Sequence, residues 1–358
     1  MFAGARILVA PLDWGLGHAA RCVPLIHALL EHGAVPVIGA DRGPLALLRE
    51  EFPALEHLRI PGMEVRYGSG RSQAWAMARQ LPSMLRQVRQ EHLLFNRLRR
   101  ELHVDAVVSD QRFGIRAADL PSVLITHQVF PFSPFAQGIA RHINRRYIAR
   151  FDRCWIPDHH AAPGLAGALS HGRPFPINAR YIGPLSRFRS SVPDRDKPLY
   201  RVVAVISGPE PQRTLFEEAV LAQLERIDGA HLVLSGKVDG DTGRLPQLPT
   251  EALHAALLSA ELIVGRTGYS TLMDLEAIGR GALLIPTPGQ SEQEYLGGAI
   301  AHRAFHTVQE QHRLDIAAAL AKPPGRFQVA QENNGILPAM TDLARLIADR
   351  RNTISSSL

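Results

Sequence analysis

The chain has 358 residues, 46% hydrophobic and 21% charged, with a formal net charge of +6. This length suits two domains and this balance an ordinary soluble globular protein. No apolar run reaches the roughly 18 residues that a membrane-spanning helix needs. Two cysteines, Cys22 and Cys154, are too few for a disulfide framework or a metal set, and a reducing cytoplasm is the expected compartment. The charge is uneven: residues 1–185 hold 22 Arg against 14 acidic residues, and residues 186–358 hold 18 Lys+Arg against 20. A basic half suits phosphate-bearing ligands or an anionic surface.

The chain opens on ARILVAP, a short buried strand with Asp13 close behind, not a signal peptide. AVPVIGA, DAVVSD and PSVLITHQ read as further strands rich in Val, Ile and Leu. Between them lie the helical stretches HAARCVPLIHALLEHG and PLALLREEF and a long helix from about residue 72 to 102. Strands alternating with helices imply an α/β fold with a parallel sheet. The polar, proline-bearing stretch PLSRFRSSVPDRDKPLY then reads as a linker. The grammar restarts with RVVAVIS, AHLVLSG, ELIVG and GALLIPT as strands. PQRTLFEEAVLAQLER, STLMDLEAIG and EQEYLGGAIAHR are the helices between and after them. The expected organisation is an N-terminal Rossmann-like domain over 1–185, a linker over 186–200, and a second Rossmann-like domain over 201–358 that includes a C-terminal helix. The two parallel sheets are expected to face each other across a cleft.

The first strand runs into PLDWGLGHAARC. Gly15 and Gly17 let backbone N–H groups approach an anion, and the helix that follows offers its positive dipole end. G-L-G-H-A-A also fits a loosened dinucleotide fingerprint, with Asp41 placed where an acid would hold a ribose. A nicotinamide or flavin oxidoreductase is therefore a competing expectation. His18 and Arg21 beside the glycines point instead to chemistry at the loop.

Three loops of the second half fall at strand ends, and in a parallel sheet such ends share one edge. They carry Ser207 and Gly208; then Arg266, Thr267, Gly268, Tyr269, Ser270 and Thr271; then Gln290, Ser291, Glu292, Gln293 and Glu294. Gly268 to Thr271 at a helix start form a second anion site. Asp274, four residues after Ser270, lies on the same helix face, in reach of a ribose. The amides and carboxylates of QSEQE suit sugar hydroxyls. The plainer reading is a helix start capped by Ser291 with Glu294 three residues on.

GLGHAARCVPLIHAL and GRTGYSTLMDLEAIGRGALLIPTPGQSEQEYL together resemble the GT-B glycosyltransferases of family 28, the MurG-type enzymes that move a sugar from a UDP-sugar. The resemblance implies an inverting transfer of a hexose or N-acetylhexosamine to an acceptor hydroxyl, with no metal and no cofactor. It implies donor binding by Gly15, Gly17, Ser207, Gly208, Arg266, Thr267, Gly268, Tyr269, Ser270, Thr271, Asp274, Gln290, Gln293 and Glu294. Asp274 stands at the ribose position, and Gln293 and Glu294 at the sugar-binding pair. DWGLGH and SGPEPQ carry fewer glycines than the family's loops, and Glu294 stands where a second Gln is frequent, so the sugar and acceptor are not carried over.

An attacking hydroxyl needs a base, and His18, with an ordinary pKa near ~6.5, suits it. Asp110, at the end of DAVVSD, is the alternative base or the group that orients His18; it is equally placed to cap a following helix. His127 and Gln128 are expected on the acceptor side. The order Gly15, Gly17, His18, Arg21, Cys22 also resembles the nucleotide-sugar hydrolase PseG, in which water would replace the acceptor. RQLPSMLRQVRQEHLLFNRLRR and QVFPFSPFAQGIARHINRRYIARF mix arginine with apolar residues, which suits a lipid-linked acceptor and peripheral contact at the inner face of the cytoplasmic membrane. No nucleic-acid module is present.

Overall fold

A computed structural model describes residues 1–62, 73–132, 137–188, 198–235, 248–327 and 335–355, with the backbone alone given for 73–81 and 354–355. The backbone divides into two compact units. The first comprises Met1–Val65, Ala78–Arg187 and Glu332–Leu358, and the second Arg66–Met77 and Phe188–Gln331. Most of the expected linker, residues 189–197, lies outside the described residues.

In chain order the first unit contains β1 (Arg6–Pro11), α1 (Leu16–Glu31), β2 (Val35–Ala40), α2 (Arg42–Glu51), β3 (Glu56–Arg59), α3 (Gln73–Leu102), β4 (Ala106–Asp110), β5 (Ser122–Ile125), α4 (Gln137–Ile148), β6 (Arg153–Ile156) and β7 (Ala179–Tyr181). The strands form one parallel sheet in the order β3-β2-β1-β4-β5-β6-β7. Every residue of β4 and β5 is buried, as a parallel sheet covered on both faces requires. That is why these strands read as unbroken apolar runs. Leu8, Ala10, Val37, Val107 and Phe95 pack into one core. Phe95 and Leu102 of α3 are thus committed to the sheet, and among its described side chains Leu85 and Leu93 are the exposed large apolar residues. Its apolar stripe, which in sequence fits either a membrane surface or the core face of an ordinary helix, is among the described residues mainly a core face.

The chain order reverses beside β1: β2 and β3 lie to one side of it, and β4 to the other. The register sets Pro11 opposite Asp110. The two strands thus end level, and their loops open at the switch point where ligands of open α/β sheets bind.

The second unit contains β8 (Tyr200–Val205), α5 (Gln212–Leu224), β9 (His231–Leu234), α6 (Thr250–Leu258), β10 (Ala260–Gly265), α7 (Tyr269–Ala277), β11 (Leu283–Leu284), α8 (Ser291–Ile300), β12 (Thr307–Val308) and α9 (Ile316–Ala321). Its sheet is parallel in the order β12-β11-β10-β8-β9, with the switch point between β8 and β10. Val202, Ala204, Val264, Phe216, Val220 and Ile316 form its core.

The last helix, α10 (Ile336–Ser355), corrects the sequence-based grouping, which assigned it to the second domain. It belongs to the first unit. Asp342 receives Arg153 Nε at 2.6 Å and Nη2 at 3.2 Å, and Arg180 lies 3.3 Å away. Arg351 pairs with Asp105 at 2.7 Å. These partners sit on the first sheet, far away in sequence, so chain proximity to the second unit misled the grouping. Asp342→Ala should lower the stability of the protein by about 1–3 kcal/mol, the usual cost of leaving charged donors unpartnered. A urea midpoint that does not move would show the helix to be held by other contacts.

Candidate functional site

The first site is built at the switch point of the first sheet. β1 ends at Pro11, and α1 starts at Leu16 with Gly15 as its N-cap, at φ +101° and without a side-chain cap. Only glycine adopts that backbone readily, and open space lies where a Cβ would stand. Gly17 falls in the first turn of the helix. His18 and Arg21, three residues apart, share one helix face.

That face meets the end of β4. Arg21 donates from Nε to Asp110 Oδ2 at 2.7 Å and from Nη2 to Asp110 Oδ1. His18 Nδ1 lies 3.1 Å from Asp110 Oδ2 and 2.8 Å from Arg21 Nη2. Arg21 Nη1 reaches His127 Nδ1 at 3.4 Å. Asp110, Arg21 and His127 are buried, whereas the His18 side chain keeps 17% of its surface exposed. No helix follows Asp110 directly, so its carboxylate serves this cluster rather than a cap.

Burial alone would push the Asp110 carboxyl up, but Arg21 and His18 outweigh it and hold the group below the usual carboxylate range. For His18, burial and then the neighbouring Arg21 lower its pKa, against the opposing pull of Asp110. The cluster therefore keeps Asp110 charged and His18 neutral near pH 7.

The tautomer of His18 decides what it can do. With the proton on Nδ1 it donates to Asp110, and Nε2 presents a lone pair. With Nδ1 bare it accepts from Arg21, and Nε2 carries the proton. The first form is a base and the second a hydrogen-bond donor.

Gln128 follows His127 and is half-buried, its backbone N–H donating to Thr126 Oγ1 at 3.0 Å. Both cysteines are free and buried. Burial, then Asp110, pushes the Cys22 thiol well up, and burial pushes Cys154 to about 12. Asp41, the expected ribose acid of a dinucleotide site, is otherwise engaged. It accepts from Arg59 Nε at 2.7 Å and from Gly62 N at 3.2 Å, so both oxygens are committed. Asp13, in the loop after β1, was passed over as a site residue. Burial and then Asp41 raise its carboxyl above the ordinary value; its position beside the glycine loop was the available signal.

The second site lies at the switch point of the second sheet. Arg266, directly after β10, is 1% exposed. It donates to the carbonyl oxygens of Ser207 (3.4 Å), Ile285 (3.4 Å), Pro286 (3.3 Å) and Gln212 (2.8 Å). Its guanidinium stacks over Phe216 at 4.1 Å. Burial lowers its pKa to about 9. Expected to point at a diphosphate, Arg266 instead clamps the loops after β8, β10 and β11 together. Its charge remains, surrounded by carbonyl dipoles rather than a carboxylate.

Gly208, exposed and at φ +111°, sits over this clamp. A Cβ there would lie 3.4 Å from Thr287 Oγ1 and 3.8 Å from Arg266 Nε. Thr287 Oγ1 and Gln290 Oε1 are buried polar atoms with no hydrogen-bond partner; Thr287 was missed because a single threonine in a proline-rich turn carries no sequence signal. Gly268 is the N-cap of α7, which carries Tyr269, Ser270, Thr271 and Asp274. Tyr269 is buried, and the other three are half-buried.

The polar row divides. Gln290, not Ser291, is the N-cap of α8. Gln293 is buried, with Oε1 accepting from Thr287 N at 3.0 Å, while Thr267 Oγ1 donates to the Gln293 carbonyl at 2.7 Å. Glu294 accepts from Gly289 N at 2.8 Å and is otherwise exposed. Gln293 thus braces the loop, Gln290 is half-buried with its Oε1 buried, and Ser291 and Glu294 are the exposed members of the row.

No protein-family model matches the chain. A UDP-N-acetylglucosamine–N-acetylmuramyl-(pentapeptide) pyrophosphoryl-undecaprenol N-acetylglucosamine transferase of Rhodopseudomonas palustris is 32% identical over 172 residues, covering 41% of this chain and 46% of that protein. The chain thus spans about half the length of the curated relatives it matches. The solved structure of MurG from Acinetobacter baumannii superposes with a TM-score of 0.54 at 14% identity, covering 97% of this chain and 99% of that one. The spinosyn rhamnosyltransferase SpnG complexed with thymidine diphosphate gives 0.59 at 17% identity, over 96% of both chains. The fold is GT-B. These likenesses bear out the resemblance to MurG-type enzymes read from the two motifs.

Arg266→Met would leave four loop carbonyls without their donor. It should cost at least about 1–3 kcal/mol and lower the denaturation midpoint. An unchanged midpoint would mean the three loops hold together without the clamp.

Proposed function

We propose that the protein is a UDP-sugar-dependent hexosyltransferase that transfers a hexose or N-acetylhexosamine, with inversion and without a metal, to an acceptor hydroxyl. The observation that carries the reading is the contact of His18 with a buried, charged Asp110 at the switch point of a GT-B sheet. A partly exposed imidazole backed by a carboxylate is suited to take a proton from an attacking hydroxyl. In that role His18 Nδ1–H donates to Asp110, Nε2 accepts the proton of the hydroxyl, and the imidazolium that forms is stabilised by the carboxylate. Asp110 orients and stabilises; Arg21 keeps it charged.

On the second unit, Gly208, the start of α7 and the buried charge of Arg266 offer the leaving diphosphate a positive surface. Asp274 is placed for the ribose, and Gln290 and Glu294 for sugar hydroxyls. His127 and Gln128 lie on the acceptor side. The names of the relatives support a UDP-linked N-acetylglucosamine donor and a lipid-linked acceptor. Among the described residues no helix is long and apolar enough to cross a membrane. The arginines of α4, with Arg145 and Arg146 exposed, support a peripheral position at the inner face of the cytoplasmic membrane.

His18→Ala should retain UDP binding and lose turnover by about 100-fold or more, the usual range for a general base; normal turnover would dismiss the assignment. Because the pKa of His18 is lowered from 6.5, the acid limb of the kcat/KM profile should fall below that value. His18 is then a working base down to that limb and is lost as pH falls through it. A limb above pH 7 would contradict the neutral imidazole.

Thermal melting against UDP, UDP-sugars, dTDP- and GDP-sugars, NAD and NADP tests the donor, since a ligand that binds only the native state raises the melting temperature. Stabilisation by UDP or a UDP-sugar is expected. Stabilisation by NAD or NADP alone would overturn the reading.

A further inference from the structure

Asp13 has no part in the chemistry assigned to His18 and Asp110. It stands in the loop between β1 and α1, five residues before His18. Asp110 marks the β4 side of that switch point. Asp13 marks the other side, where the segment after β3 meets it. A Cβ on Gly62 would lie 2.4 Å from Asp13 Cβ and 2.6 Å from Oδ2. Space alone therefore calls for glycine at 62, and Gly62 N is tied to Asp41 at 3.2 Å. The Asp13 side chain is walled in from that side.

Its carboxyl group is left without a donor. Oδ1 is buried with no hydrogen-bond partner. The donors nearby are committed elsewhere. Arg59 Nε serves Asp41 at 2.7 Å. Arg112, with no exposed surface, gives Nε to Glu91 at 2.6 Å and its other nitrogens to the carbonyls of Ile60 (3.3 Å) and Pro61 (2.7 Å). Burial and then Asp41 raise the Asp13 carboxyl, against the opposing pull of Arg42, Arg112 and Arg59. A buried acceptor without a donor destabilises the fold that holds it, and its presence calls for an explanation outside the fold. Asp13 as a whole is only half-buried, so a ligand can reach the carboxyl group, and its soft χ2 torsion can turn either oxygen outward. The neighbouring charge of Asp41 disfavours an anion here. An O–H or N–H suits the place, because each donates to a carboxylate.

We propose that Asp13 is a specificity-determining residue. Its carboxylate takes a hydrogen bond from an O–H or N–H that the acceptor carries beside the attacked hydroxyl, and this fixes which hydroxyl meets His18. The assignment rests on the glycosyl-transfer reading. Asp13 takes no proton in the step. The acceptor oxygen bonds to the sugar carbon, its proton passes to His18, and the nucleotide leaves with the electron pair of the broken C–O bond.

The test measures UDP release from UDP-N-acetylglucosamine by the full-length wild type, Asp13→Ala and Asp13→Asn. Each is assayed in water alone, with an N-acetylmuramyl pyrophosphoryl lipid and with a series of p-nitrophenyl glycosides, and each is melted without ligand. Asp13→Ala should raise the acceptor KM about tenfold or more, the usual loss for a hydrogen bond to a charged group, with a smaller change in kcat. It should melt no lower than wild type, since the carboxylate has no donor within the fold. Asp13→Asn, whose Oδ1 can still accept, should recover most of the KM. An unchanged acceptor KM in Asp13→Ala overturns the proposal. So does a fall in kcat at unchanged KM, which would place Asp13 with His18, or a lower melting temperature, which would give the carboxylate a role in the fold. These three results leave the transfer reading intact. If no acceptor raises UDP release by wild type above the rate in water, the transfer reading itself falls, and the role of Asp13 falls with it.

Discussion

The pairing of Arg21 with Asp110 is the constraint around which the first unit is arranged. A carboxylate with no exposed surface is tolerable only if its charge is matched and its oxygens are hydrogen-bonded. Arg21 meets both requirements, and to do so α1 must start where it does, with a glycine at positive φ turning the chain off β1. His18 follows from the same geometry. One helical turn before Arg21, it comes against the same carboxylate while its ring stays partly in solvent. His18 is therefore not an isolated histidine. It is the exposed edge of a buried ion pair, and its neutrality comes from burial and the arginine beside it.

The second unit uses an arginine differently. Among the described residues no carboxylate pairs with Arg266; it is ringed by carbonyls of the loops after β8 and β11 and by an aromatic face. An interior cation held by dipoles alone keeps a net positive field at the strand ends, and Gly208, lacking a side chain, leaves that field open. The loops that present Thr287 and Gln290 are positioned by the same guanidinium. The geometry and the stability of these loops are thus coupled through one residue, whereas on the first unit the ion pair and His18 are separate groups in contact.

Several features were legible in the sequence for definite reasons. Strands buried on both faces must be continuous apolar runs, so β1, β2, β4, β8 and β10 stood out, and their strict alternation with helices implied parallel sheets. Glycines at the strand ends marked the two loops with ligand chemistry. Short or edge strands were different: β3, with three polar residues in four, and the two-residue β12 carry too little pattern to be read. Gln293 belonged to a polar row whose members look alike in sequence. Whether an amide turns inward to a backbone N–H or outward to a ligand depends on the path of the preceding turn.

The sequence by itself determined the alternation of strands and helices, the fold class, and the two glycine-bearing loops, because hydrophobic period and glycine placement are local properties of the chain. It also placed His18 and Asp110 at strand ends. Only the tertiary structure decided that they meet, that Arg21 lies between them and His127, and that Arg266 faces carbonyls rather than outward. It alone moved α10 onto the first unit and set Gly62 against Asp13. Each of these rests on contacts between residues far apart in the chain. Their distances are set by sheet order and register, which no local pattern encodes.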